Sequence, residues 1–201
     1  MKTITAELPP DGKIAASACA KLTPKLLGQI ESVRKYDLRY ELSNAFGQPA
    51  TPSEALIETL SILSILISRF PNHISATNFS TPPLKVLAPL LSHPRPVVRK
   101  RAIVTLSQFI PISPPSLFAD LLKTSVVPNL IPSSLDKQRT TVQLVAAVAR
   151  HSPAQLAPAL NNIVPGILRA VEKDDEELRE GALQVCELNN YTLALRLLIL
   201  L

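Results

Sequence analysis

Four cations, Arg95, Arg99, Lys100 and Arg101, fall within seven residues of the stretch HPRPVVRKRAIVTL at 93–106. Guanidinium and ammonium groups at this density can hold anions, whether phosphates or the carboxylates of another protein. The chemistry they offer is recognition.

Residue types suited to catalysis are not arranged for it. His73, His93 and His151 fall near expected helix ends, with no second ligand at a spacing such as HExxH, so no metal is expected. Cys19 and Cys186 lie in apolar helical patterns and read as small core residues. With no CxxC, neither a disulfide framework nor a zinc site is expected, and a reducing compartment fits. The chain carries no Gly-rich phosphate loop, GxSxG elbow or kinase-type motif. The expectation is a protein that is not an enzyme and takes no cofactor.

The elements that position the cations follow from composition and period. The chain has 201 residues, 46% of them apolar, with five Phe, three Tyr and no Trp. A core of Leu, Ile, Val and Ala favours helices packed on helices over a β-sandwich. Only five Gly are available for hairpin turns, whereas nineteen Pro suit many short, punctuated helices. The net charge of +5 attracts acidic surfaces without requiring nucleic acid. MKTITAELPP lacks the apolar region of a secretory signal, and LALRLLILL at 193–201 is far short of the roughly 20 residues that span a bilayer. A soluble protein of the cytoplasm, the nucleus or both is expected, with no membrane partner.

The cationic stretch recurs. Aligning Val98-Arg99 with Leu178-Arg179 brings Ala102 onto Ala182, Ile103 onto Leu183 and Leu106 onto Cys186, a step of 80 residues. Half that step lands on DKQRTTVQLVAAVAR, where Arg139 takes the Arg slot and Val142 the Ala102 slot. Arg99, Arg139 and Arg179 therefore stand at equal steps of 40. An apolar-periodic segment opened by Pro precedes each stretch; Leu87, Leu90 and Leu91 show its helical stripe. Pro128 and Pro165 predict kinks or breaks late in these first helices. Ser133 or Ser134, and Asp174 or Asp175, suit N-caps of the second helices.

A period near 40 with two helices per unit predicts an all-α HEAT-repeat solenoid, a right-handed superhelix of antiparallel helix pairs. The single array reads as the end of a partial repeat at 1–10, a repeat at 14–70 with a long inner loop at 32–52, repeats at 82–110, 114–152 and 153–189, and an atypical apolar tail at 190–201.

The stretches MKTITAELPP, LSHPRPVVRKRAIVTLSQFI, TVQLVAAVARHSP and DDEELREGALQ resemble the amino-terminal half of the Cand family, the cullin-associated, neddylation-dissociated proteins. The resemblance runs from about residue 2 to about residue 187. It implies a HEAT solenoid that wraps an unmodified cullin–RING ubiquitin-ligase scaffold and promotes exchange of its substrate-receptor modules. The implied partners are a cullin, its RING subunit and a separate carboxy-terminal half of the same family. After ALQVCE the sequence departs from the family pattern and reads LNNYTLALRLLILL.

Arg99, Arg139 and Arg179, with Ala102 and Ala182, read as structural repeat positions. Each Arg stem is expected to pack between units while its guanidinium bonds a loop carboxylate or carbonyl, direct partner contact being the alternative. Arg95, Lys100 and Arg101 do not recur at the 40-residue step. They are candidates for an acidic partner surface, against a solvated helix face. The acidic run around Glu176, Glu177 and Glu180 serves capping and dipole complementarity, or contacts a basic partner. Nucleic acid is not expected, because no interleaved aromatics or binding motif accompany the cations. A HEAT scaffold in transport or trafficking is the alternative function.

Overall fold

A computed structural model describes residues 12–43, 52–75, 77–130, 134–172 and 174–188, with backbone alone at 36–43, 52, 170, 171 and 186–188. The partial repeat at 1–10 and the apolar tail at 190–201 lie outside the described residues. Every regular element among those residues is helical. The chain divides into two compact units, Met1–Ile112 and Ser113–Leu201. The division falls in the link between the repeats expected at 82–110 and 114–152.

In the first unit, α1 (Lys13–Ser43) packs on α2 (Pro52–Arg69), and α2 packs on α5 (Pro96–Phe109). The short α3 (Pro71–Ser75) and α4 (Pro83–Leu87) close the core, α4 tightening into a 3₁₀ turn at Ala88–Ser92. Helical spacing explains the packing. Ala15, Cys19, Leu26 and Ile30 form one buried stripe on α1, Leu56, Leu60, Leu63 and Ile67 another on α2. Val98, Ala102, Leu106 and Phe109 do the same on α5. Burial also pushes the Cys19 thiol above its ordinary pKa.

One expectation is corrected here. The segment 32–52, expected as a polar loop, is helical as far as Ser43, so α1 runs for 31 residues. The extension KYDLRYELS alternates Tyr36, Leu38, Tyr40 and Leu42 with polar residues, a period of two that does not mark a helix, but most of its residues favour helix. An exposed pair of Glu31 and Lys35 at 3.3 Å supports its start at i,i+4 spacing.

In the second unit, α6 (Pro115–Leu121) passes through a π-helical turn at Leu122–Val126 into α7 (Val127–Leu130). Pro128 lacks the N–H that an α-helix would direct to Thr124, and its ring would crowd that carbonyl. The wider turn just ahead of it fits that demand. The helix α8 (Leu135–His151) is buried along 144–149. Next come α9 (Pro153–Leu156), a 3₁₀ turn at Ala157–Ala159, α10 (Leu160–Val171) and α11 (Glu176–Leu188). Pro165 lies inside α10, which continues across it without a break. Proline occupies the first turn of α4, α6 and α9, where no intrahelical N–H is required.

Close approach governs two glycines. A Cβ at Gly181 would lie 2.7 Å from Val142 Cγ1, and one at Gly166 would lie 2.7 Å from Leu130 Cβ. Both let neighbouring helices approach within the reach of a methyl group.

Candidate protein-binding surface

The cations stand on the first half of α5. Arg95 is its N-cap, with extended backbone, and its N–H donates to buried His93 Nδ1 at 3.1 Å. Arg99 folds back onto the same loop: its Nη1 donates to the carbonyls of His93 and Pro94, both at 2.8 Å. Lys100 and Arg101 are exposed.

They share their face with apolar groups. Val97 and Val104 are 53% and 43% exposed, and with Lys100 and Arg101 they occupy positions i, i+3, i+4 and i+7. This strip carries two cations between two aliphatic side chains. On the other side of α5, Ala102 is fully buried. Toward the helix end, Gln108 bridges to α2, accepting from Ser64 Oγ at 2.6 Å, donating to Ser68 Oγ at 2.9 Å.

The electrostatics of α5 are unfavourable for the helix itself. A helix N-terminus carries partial positive charge and favours carboxylates in its first turn. α2 has Glu54 there, α8 has Asp136, and α11 has Glu176 and Glu177. α5 has no acid in its first turn, and its 14 residues contain no Asp or Glu at all.

The second unit places its charges differently. Asp175 is the N-cap of α11, and its Oδ1 accepts the Leu178 N–H at 3.0 Å. The same carboxylate receives Arg139 from α8. Arg139 Nε lies 3.1 Å from Oδ1 and 3.2 Å from Oδ2, and Nη2 also donates to Oδ2. Asp136 at 3.9 Å and Glu177 at 3.4 Å complete the surroundings of Arg139. The Arg139 hydrogen bond, helped by the Leu178 amide, holds the Asp175 carboxyl below the usual carboxylate range. The same bond raises the Arg139 pKa further.

Arg179 reaches Asp174 at 3.4 Å. The three equally stepped arginines thus differ in partner: carbonyls of the preceding loop for Arg99, a carboxylate 36 residues onward for Arg139, and one five residues back for Arg179. Glu176, Glu177 and Glu180 are exposed on α11, Glu177 beside Arg139; Ala182, like Ala102, is fully buried. Asp175, which joins two helices, stood out in the sequence only as one of two possible caps.

Among the described residues, no cluster of three or more His, Cys, Asp or Glu is placed to hold a metal ion. No described helix is long and apolar enough to cross a membrane.

No family model matches the chain. Individual relatives do. Cullin-associated NEDD8-dissociated protein 2 of Mus musculus is 31% identical over 193 residues, covering 93% of this chain and 14% of the relative. Cullin-associated NEDD8-dissociated protein 1 is 30% identical over 188 residues in Drosophila melanogaster, covering 93% of this chain. In Dictyostelium discoideum it is 28% identical over 188 residues, covering 91%. The chain spans about 14% of the length of each of these relatives. Along nearly all of its own length, then, this chain matches a segment of the cullin-associated NEDD8-dissociated proteins, the family its sequence resembles.

Proposed function

We propose that the chain is a stretch of HEAT-repeat scaffold, without catalytic activity, that binds a cullin–RING ubiquitin ligase through the exposed faces of its second helices. In this reading its helix pairs stack as a solenoid, and recognition rests on shape and surface charge. The observation that carries it is the match over 93% of the chain to proteins named for cullin association. The outward strip of α5 supports it: aliphatic groups beside unrecurring cations form a compact patch suited to an acidic, partly apolar surface. The role that follows is regulation of substrate-receptor exchange. Because the chain spans only a segment of its relatives, that role calls for a complementary half.

The test is binding of the chain to an unneddylated cullin–RING complex, read by biolayer interferometry. Saturable binding at micromolar concentration is expected, with a weaker response from the neddylated complex. The double variant Lys100→Glu and Arg101→Glu should lose about tenfold in affinity, the equivalent of about 1.4 kcal/mol, with unchanged helical circular dichroism. No binding by a folded chain refutes the reading. Undiminished binding by the double variant returns α5 to a solvated face.

A further inference from the structure

Five hydroxyl residues stand directly before a proline: Thr23, Thr51, Thr81, Ser113 and Ser152. A hydroxyl followed by proline is what a proline-directed kinase reads, because proline has a fixed φ and offers no N–H to the pocket beyond the acceptor. In sequence the five are equivalent. The fold separates them.

Thr23 is fully buried inside α1. Ser152 is 8% exposed, and its N–H donates to the Val148 carbonyl at 2.7 Å, where α8 ends. Ser113 is half-buried in the short link between a 3₁₀ turn at Ile110–Ile112 and α6. Thr51 lies outside the described residues. Phosphoryl transfer needs the acceptor oxygen in line with the γ-phosphate, inside the cleft of another protein. Thr23 and Ser152 meet that demand only if a helix opens.

Thr81 is placed otherwise. It is exposed, in the irregular segment 77–82 between α3 and α4. Its hydroxyl has no hydrogen-bond partner among the described residues, whereas Thr77 Oγ1 in the same segment donates to the His73 carbonyl at 2.8 Å. Among the described residues, no backbone hydrogen bond ties down Asn78, Phe79, Ser80 or Thr81. Pro82 follows with extended backbone, at φ −56° and ψ 131°. Lifting this segment breaks no helix, and segments without backbone bonds are the cheapest to open.

We infer that Thr81 is a phosphorylation site for a proline-directed kinase. The γ-phosphoryl group of ATP passes to Thr81 Oγ1: the new P–O bond forms as the bond to ADP breaks, and the hydroxyl proton goes to the kinase's carboxylate base. The site is not on α5 and does not rest on the proposed cullin reading.

The test incubates the full chain with ATP and two purified proline-directed kinases in turn, one cyclin-dependent and one mitogen-activated, and maps phosphate by mass spectrometry. With at least one of them, Thr81 should be modified at least tenfold faster than Thr23, Ser113 or Ser152. Thr81→Ala should abolish phosphate on that peptide, Thr81→Ser should retain it, and Pro82→Ala should slow it at least tenfold with unchanged circular dichroism. The inference is overturned if neither kinase places phosphate on Thr81 of the folded chain. It is also overturned if Ser113 or Ser152 is modified as fast as Thr81, or if Pro82→Ala leaves the rate unchanged.

Discussion

The helices α5 and α11 occupy equivalent places in the 40-residue pattern, two steps apart, yet begin in opposite ways. At the N-cap, Arg95 stands where α11 has Asp175; at the second position, Val97 stands where α11 has Glu177. α11 is built for its own stability, with a capping carboxylate, two acids in its first turn and an arginine from α8 on the cap. α5 forgoes every one of these and leaves two cations and two valines in solvent. Departures from local rules collect where a surface serves something other than the fold. The comparison teaches that Arg99, Arg139 and Arg179 share a place without sharing a job, and that α5 is the place to look for a partner.

The largest effect is expected at Asp175. Asp175→Ala removes the cap of α11 and leaves Arg139 without its main partner, so it should lower the melting temperature more than any other change described below. Its pH dependence has a definite sign. The native carboxyl ionises below its unfolded value of about 4. Its contribution is therefore fully present above that value and is lost as pH falls through the lower native one. Thermal melts should show a gap between wild type and Asp175→Ala that is constant near neutrality and closes on acidification below about pH 4. A gap that widens there would contradict the Arg139–Asp175 geometry.

Next comes Gly181→Ala on the same helix. A methyl group there meets Val142 Cγ1 at 2.7 Å, and a valine in a helix has little rotamer freedom to yield. Overpacking costs about 1–3 kcal/mol, against about 1 kcal/mol gained by removing a helical glycine. A net loss of up to about 2 kcal/mol in urea unfolding is expected. A net gain would mean that α8 and α11 sit farther apart.

Much of this architecture was legible because apolar spacing reports which face is buried. Val98, Ala102 and Leu106, and again Leu178 and Ala182, needed no more than helical period, and all five are fully buried. The extension of α1 to Ser43 was hidden because KYDLRYELS alternates apolar and polar residues, a period of two that does not mark a helix. The bond from Arg139 to Asp175 was hidden for another reason. A 40-residue step aligns equivalent backbone positions, but the partner of a long side chain depends on which loop comes within reach.

Two smaller changes would carry α11's design over to α5. Arg95→Asp should install the missing cap, its carboxylate accepting the Val98 N–H as Asp175 accepts that of Leu178, for a gain of about 1 kcal/mol.

Val97→Glu is the gentlest change and the sharpest test. Val97 is more than half exposed, so its replacement leaves the core intact. A carboxylate in the first turn gains about 0.3–1 kcal/mol from the helix dipole. The same carboxylate lies one turn from Lys100 and Arg101, where it competes for both cations. If α5 sacrifices stability for binding, the variant should melt slightly higher and bind an unneddylated cullin–RING complex several-fold more weakly. If it melts higher and binds as tightly as the wild type, the cations and valines of α5 are only a solvated face, and its difference from α11 has no bearing on recognition.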